Sequence, residues 1–264
     1  PVVTTGHATT VSAVVMTVES ILRSGGRDLT QESVAFLGVG SIGYTTLRLI
    51  LRCLPHPRKI LICDVFSKKA WLDKVCSEIV DHLGFKGPVD VAVPSYELPP
   101  EVYEASLIIG ATNVPDILDI SAVKPGTLIV DDSGPHCFAA PAAIKRFELE
   151  QDILFTEGGV VRMPSPWRHL KYLPRRVEQM MHPSFVESMS TRDPSQIGGC
   201  VLSSLLSAGK ERLVPTLGLP DDVSCLEHYR GLQRLECGAA TLHCEGYVLP
   251  KQRIETFRSR FGGC

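Results

Sequence analysis

The run Val34-Ala35-Phe36-Leu37-Gly38-Val39-Gly40-Ser41-Ile42-Gly43 constrains this chain more than any other segment. A short apolar strand ends in Gly-x-Gly-x-x-Gly, and Tyr44 to Cys53 then reads as a helix. In such a turn the first glycine permits a tight reversal and the second lets a pyrophosphate approach the backbone. The third lets the helix pack closely on the strand. The unpaired N–H groups of the first helical turn then point at the phosphates. A second strand, Lys59 to Cys63, ends in Asp64, 21 residues beyond Gly43, where a carboxylate can take ribose hydroxyls. The expectation is a nicotinamide-dinucleotide site. Gly38, Gly40, Ser41, Ile42 and Gly43 would hold the pyrophosphate, and Asp64 the adenosine ribose.

The alternation continues along the chain. Strands are expected near 34–37, 59–63, 89–92, 107–110, 128–131 and 153–156, with the clearest helices at 42–53, 67–83 and 138–146. This order predicts an α/β fold: a Rossmann-like, doubly wound parallel sheet with its ligand beyond the strand C-termini. Ala111, Thr112 and Asn113 would then face the nicotinamide side, and Gly158 with Gly159 would also face the cleft. Turn chemistry alone is the competing explanation for these loops. Before the first strand, Val11, Val14, Val15, Val18, Ile21 and Leu22 recur at helical spacing over Thr10 to Arg23, and Gly25-Gly26 stops the helix. From Pro164 the texture turns irregular, and Gly198 to Leu213 and Asp221 to Cys244 look helical before a basic tail from Pro250. Three regions follow: 1–30 a lead and linking helix, 31–163 a Rossmann domain, 164–264 a mainly helical C-terminal part.

Composition narrows the partners. A net charge of −2 offers no field to recruit nucleic acid, and no apolar run approaches the roughly 20 residues that span a bilayer. Nine cysteines, an odd number without a Cys-x-x-Cys pair, favour reduced thiols and a cytoplasmic setting, with no metal site expected. The sequence opens inside what already reads as ordered structure, so an excised piece of a longer polypeptide is one expectation.

Cofactor preference rests on two neighbouring features. Asp64 would repel a 2′-phosphate and so favours NADH. Ser67, Lys68 and Lys69 lie just beyond and could cradle that phosphate, although a solvated helix start explains the lysines equally well.

Three groups carry candidate chemistry. Cys200 follows Gly198-Gly199 at the start of an apolar helix, where the macrodipole favours a thiolate; a buried small hydrophobe is the plainer alternative. Thr5, His7 and Thr10 cluster before the first helix, suited to capping it or to stabilising an oxyanion. His136 and His169 sit on loops near the cleft as weaker candidates.

Together these residues resemble the long-chain acyl-(acyl-carrier-protein) reductases. The likeness rests on Thr4-Thr5-Gly6 leading into a helix, Gly38 to Gly43, Gly158-Gly159-Val160-Val161 and the late Cys200, over about residues 2–210. The resemblance implies NAD(P)H-dependent reduction of an acyl-carrier-protein or acyl-CoA thioester to an aldehyde through a cysteinyl acyl-enzyme, with Cys200 as nucleophile. It implies NADPH where Asp64 argues for NADH. The family's N-terminal acyl-holding region has no counterpart in this sequence, so the expectation is either that it was cut away or that substrate selection differs. Beyond Arg212 the resemblance fades, and a homodimer through the C-terminal helices is one expectation there. Other readings are a glutamyl-tRNA-reductase-like or shikimate-dehydrogenase-like oxidoreductase, and a non-catalytic dinucleotide-binding module.

Overall fold

Six strands lie in the order β3-β2-β1-β4-β5-β6, all parallel. They are β1 (Ser33–Leu37), β2 (Lys59–Cys63), β3 (Val89–Ala92), β4 (Leu107–Gly110), β5 (Thr127–Asp131) and β6 (Ile153–Glu157). This is the Rossmann order, and the strand sequence reverses between β1 and β4. The structure is a computed structural model that describes all residues except 1–2, 65–68, 94–96, 168–173, 182–192, 210–212 and 264, and the side chain at 178.

Burial explains which segments became strands. In β1, β2, β4, β5 and β6 nearly every residue is buried, as expected of parallel strands covered on both faces. β3 carries exposed Asp90, which pairs with Lys59, as suits an edge. The helices between the strands are α2 (Ser41–Cys53), α3 (Lys69–Asp81), the single turn α4 (Pro100–Tyr103) and α5 (Ala140–Glu150). Phe155 on β6 meets Phe138 and Phe147 edge-on and anchors α5 to the sheet.

The hydrogen-bond ladder runs one residue past the strands. Gly38 N–H donates to Cys63 O, Ala111 N–H to Leu37 O, Asp132 N–H to Gly110 O and Gly158 N–H to Asp131 O, at 2.8–2.9 Å. Four loops are thereby levelled along one sheet edge, and the candidate site is built there.

Helix α1 (His7–Gly25) is buried on nearly every side and packs against α2, β5, β6 and the helices at Gly199–Ala208, Asp222–Arg234 and Lys251–Phe261. It begins three residues earlier than its periodicity suggests, because Gly6 takes a left-handed N-cap position (φ 76°) without any side-chain cap. Gly26 ends it as expected, with Arg27 N–H returning to Leu22 O. Its fully buried polar residues all find partners. Ser12 and Thr17 hydroxyls donate to the carbonyls of Ala8 and Ala13, and Thr9 pairs with His228 Nδ1 at 2.8 Å. Since His228 Nε2 faces the carbonyl of Val214, it carries the ring proton, and Nδ1 accepts from Thr9. Burial lowers the His228 pKa, in keeping with a neutral ring.

The C-terminal part is less helical than its sequence suggests. After β7 (Val160–Arg162) come α6 (Arg175–Met180), β8 (Gln196–Gly198), α7 (Gly199–Ala208) and α8 (Asp222–Arg234). Helix α8 stops well short of Cys244: Glu236 turns left-handed (φ 56°) and Cys237 N–H closes on Leu232 O. β9 (Gly238–Ala239) then joins β8 and β7 in an antiparallel sheet ordered β8-β7-β9. β10 (His243–Cys244) and β11 (Tyr247–Val248) form a hairpin about Glu245-Gly246, both at positive φ, and α9 (Lys251–Phe261) closes the chain. Among the described residues no helix is long and apolar enough to cross a membrane.

Candidate functional site

Each glycine of the nucleotide-type loop has a different reason to be glycine. At Gly38 (φ 90°) an added Cβ would lie 2.4 Å from Ala111 O, and at Gly43 it would lie 2.0 Å from Gly38 O. Neither contact is possible, so both glycines are demanded by the fold. At Gly40 nothing lies within 4 Å, and φ is an ordinary −68°. The chain itself does not require glycine there, whereas a group approaching the backbone would. The first turn of α2 has no side-chain cap, which leaves its N–H groups to that space.

The Val39 peptide is held from both ends. Its N–H donates to Asp64 Oδ2 at 2.7 Å, and its carbonyl accepts from Trp71 Nε1 at 3.3 Å. Asp64 therefore orients the glycine loop as well as lining the cleft. A cavity of about 480 Å³ lies over this loop. Gly38, Gly40, Ser41, Ile42, Asp64, Ala111, Thr112 and Asn113 all line it, and Gly43 lies beneath. Thr112 also shows the turn chemistry expected of it, accepting from Val114 N–H at 3.2 Å. Ser67 and Lys68, the candidate phosphate ligands, lie outside the described residues, as does His169.

A second cavity, of about 390 Å³, brings together Thr5, His7, Thr10, Gly158, Gly159 and Cys200. Ile42 and Asp132 line both cavities, so a dinucleotide-type end and a thiol end lie side by side along one trough wall. The thiol end is assembled by close backbone approaches. A Cβ on Gly6 would sit 2.7 Å from the Cα of Cys200, and one on Gly199 would sit 2.9 Å from the Cα of Thr10. Gly199 N–H also donates to Gly159 O at 2.8 Å. The Thr-Thr-Gly lead and the late cysteine, nearly 200 residues apart, are thus in direct contact.

Cys200 is the second residue of α7 and is exposed, not a buried packing residue. The hydroxyls near it divide by their partners. Thr5 donates both its N–H (2.8 Å) and its hydroxyl (3.1 Å) to Thr216 O, so that proton is committed to the fold. Thr4 reaches the same carbonyl and Ser203, and none of these threonines caps α1 through its side chain. Thr10 lines the cavity and its hydroxyl makes no hydrogen bond among the described residues. His7 Nδ1 faces Gly218 O at 2.8 Å and so carries the proton in the neutral ring, leaving Nε2 as acceptor.

Sequence reasoning placed His136 near the cleft as a weak candidate but missed the ionisable cluster that it joins at the cavity wall. Asp132 is pushed up to about 7, chiefly by burial and then by adjacent Asp131, with the Gly159 N–H partly offsetting both. For Asp131, burial raises the pKa, but bonds from His136 (Nδ1, 2.9 Å), Ser133 and Cys137 outweigh it and leave it low. The Asp131 bond, followed by contact with Cys244, pushes His136 up to about 10. Glu157 lies 3.7 Å from His136 Nε2 and 3.4 Å from His243 Nε2, and accepts Glu245 N–H at 2.7 Å. Strand ends nominate the loop from Asp131 to His136, and the same topology could have nominated Glu157 at the end of β6. Cys244 comes from the hairpin, for which no sequence signal existed.

No protein-family model matches the sequence, and no curated protein matches it. Solved structures are similar at low identity. L-tryptophan dehydrogenase from Nostoc punctiforme is 14% identical with a TM-score of 0.40, covering 96% of this chain and 60% of that one. Glucose dehydrogenase from Haloferax mediterranei, solved with NADP, zinc and gluconolactone, is 18% identical with a TM-score of 0.41 over 67% and 49%. Δ(1)-pyrroline-2-carboxylate reductase from Thermococcus litoralis, solved with NADH and L-proline, is 16% identical with a TM-score of 0.35 over 47% and 36%. The chain spans about half or less of the length of the first structures it matches.

Proposed function

We propose that this chain reduces an acyl thioester, carried on an acyl-carrier protein or coenzyme A, to an aldehyde with a reduced nicotinamide dinucleotide. The observation that carries this reading is the adjacency of the two cavities: an exposed thiol at a helix start lies across Ile42 and Asp132 from a glycine loop suited to a pyrophosphate. The open face of Gly40 and the uncapped start of α2 fit a dinucleotide, and Asp64 favours a free ribose, hence NADH over NADPH.

Cys200 acts as nucleophile. Its thiolate attacks the thioester carbonyl carbon, the bond from that carbon to the carrier sulfur breaks, and the carrier thiol leaves with the proton that Cys200 gave up. This exchange conserves one thioester, so it is close to balanced, and it fixes the acyl carbon inside the trough. When bound, the reduced nicotinamide supplies a hydride. Thr10 donates its hydroxyl to the developing oxyanion, and His7 adds polarity on the same wall. Asp132, which holds a proton near neutral pH, can give it to that oxygen, and collapse of the resulting thiohemiacetal frees the aldehyde and the Cys200 thiol. Thr5 positions the lead segment and does not act as a donor.

Intact-mass measurement after incubation with a panel of acyl-carrier and acyl-CoA thioesters tests this reading. An acyl adduct that is absent from Cys200→Ala is expected. No adduct, in protein that demonstrably binds the dinucleotide, would point to direct hydride transfer or a sensor.

A further inference from the structure

We propose that His136, Glu157 and Cys244 form a binding site for one zinc-type divalent cation in the wall of the thiol cavity. His136 Nε2 lies 3.8 Å from Cys244 Sγ and 3.7 Å from Glu157 Oε1, and the three donor atoms all lie within 4.8 Å of one another. Bond lengths of ~2.3 Å to sulfur and ~2.0–2.2 Å to nitrogen or oxygen place tetrahedral ligand atoms roughly 3.3–3.6 Å apart. Two edges of such a site are therefore formed to within a few tenths of an ångström. One thiolate, one imidazole and one carboxylate suit zinc, whereas magnesium and calcium select oxygen.

The surroundings are those of a held ligand set. The buried Asp131 carboxylate takes the Nδ1–H of His136 at 2.9 Å, which leaves Nε2 as the ligating atom, and Cys137 N–H secures Asp131 in turn at 3.1 Å. Glu157 is oriented by Glu245 N–H at 2.7 Å and by His243 at 3.4 Å. Among the described residues no lysine or arginine lines this cavity, so histidine is the only basic side chain beside the Asp131 and Glu157 carboxylates that a cation would meet. An ion here would replace the protons on Cys244 and His136 Nε2 and release them to solvent.

Two consequences follow from where the ligands sit. They come from the loop after β5, the end of β6 and the β10–β11 hairpin, so one ion would tie the C-terminal hairpin to the parallel sheet. His136 and Glu157 line the same cavity as Cys200, so the fourth coordination position would face it and take water or a substrate oxygen. The site does not depend on the thioester reading.

The test uses the full chain, stripped by chelation and titrated with Zn²⁺ by calorimetry and with Co²⁺ by absorption. One equivalent of Zn²⁺ is expected, bound at least about 100-fold more weakly by Cys244→Ser and His136→Gln, and about 10- to 100-fold more weakly by Asp131→Asn. Cys200→Ala should bind normally, and a thiolate-to-cobalt charge-transfer band should vanish with Cys244→Ser. Because Cys244 is buried, circular dichroism of each variant checks folding, and half-buried His136→Gln supplies the independent case. Absence of stoichiometric binding would overturn the site in favour of a plain thiol–imidazole–carboxylate hydrogen-bond chain. Binding that survives both ligand variants, or is lost with Cys200→Ala, would overturn it in favour of an ion held elsewhere.

Discussion

The two ends of the trough are built in opposite ways. The dinucleotide end is centred on one continuous stretch, β1 to α2, where Gly38 and Gly43 shape the turn and Gly40 leaves it open, and the ends of β2 and β4 complete its walls. The thiol end is assembled from the lead segment, the loops after β5 and β6, and the start of α7, which touch through Gly6, Gly159 and Gly199. A local motif tolerates change elsewhere in the chain. An assembled one depends on every surface that brings its parts together.

Alanine at buried Gly6 and at exposed Gly40 should behave differently. Gly6→Ala places a Cβ 2.7 Å from the backbone of Cys200 at φ 76°, so we expect a loss of about 2–4 kcal/mol in denaturant unfolding, with aldehyde formation lost as well. Gly40→Ala enters open space at an ordinary φ, and its stability should stay within about 0.5 kcal/mol of the original. Dinucleotide affinity of Gly40→Ala should nonetheless fall at least about tenfold, since the Cβ stands where the backbone would meet phosphate. Equal destabilisation by the two substitutions would break the comparison.

Asp132 sharpens it at the junction of the two cavities. Its folded pKa of about 7 lies above the usual carboxylate value, so the native state binds more protons than the unfolded one between about pH 4 and pH 7. This contribution to stability is present at low pH and is lost as pH rises through about 7. Asp132→Asn should flatten that slope in melts taken from pH 5 to pH 8 and gain on the parent protein at the alkaline end. The reductive half-reaction should likewise slow above about pH 7 in the parent protein. A stability profile unchanged by Asp132→Asn would contradict the assignment.

The smallest effects separate two neighbouring threonines. Thr10→Val should slow reduction about tenfold with little change in stability, because it removes a hydroxyl without a partner among the described residues. Thr5→Val should cost about 1 kcal/mol of stability by losing its bond to Thr216 O, and slow reduction less. Reversed outcomes would exchange their roles.

Legibility in the sequence follows the same division. All six parallel strands were readable to within a residue, five because buried parallel strands are continuous apolar runs bounded by turns and the exposed edge strand β3 from its place in the alternation. The cavity over Gly38 to Ile42, with Asp64 and Thr112, was readable for the same local reason. What escaped depends on contacts between distant segments. Helix α8 was expected to run on to Cys244, yet periodicity cannot foresee the left-handed turn at Glu236 or the hairpin that follows. The dual use of Asp64, as cleft residue and as clamp on Val39, needs the folded loop to be visible. His136, Glu157 and Cys244 are separated by 21 and 87 residues, so no ligand spacing could announce them.

The most direct test of the central claim, that the thiol and the dinucleotide share one trough, is a single-turnover measurement. Protein acylated at Cys200 by an acyl-carrier thioester, freed of excess donor, is mixed with NADH and followed by intact mass and by aldehyde trapping. The account predicts that the acyl mass disappears as one equivalent of aldehyde forms and one equivalent of NADH is oxidised. An acyl-enzyme that persists while NADH is bound would contradict it, because the thiol and the hydride donor would then not meet.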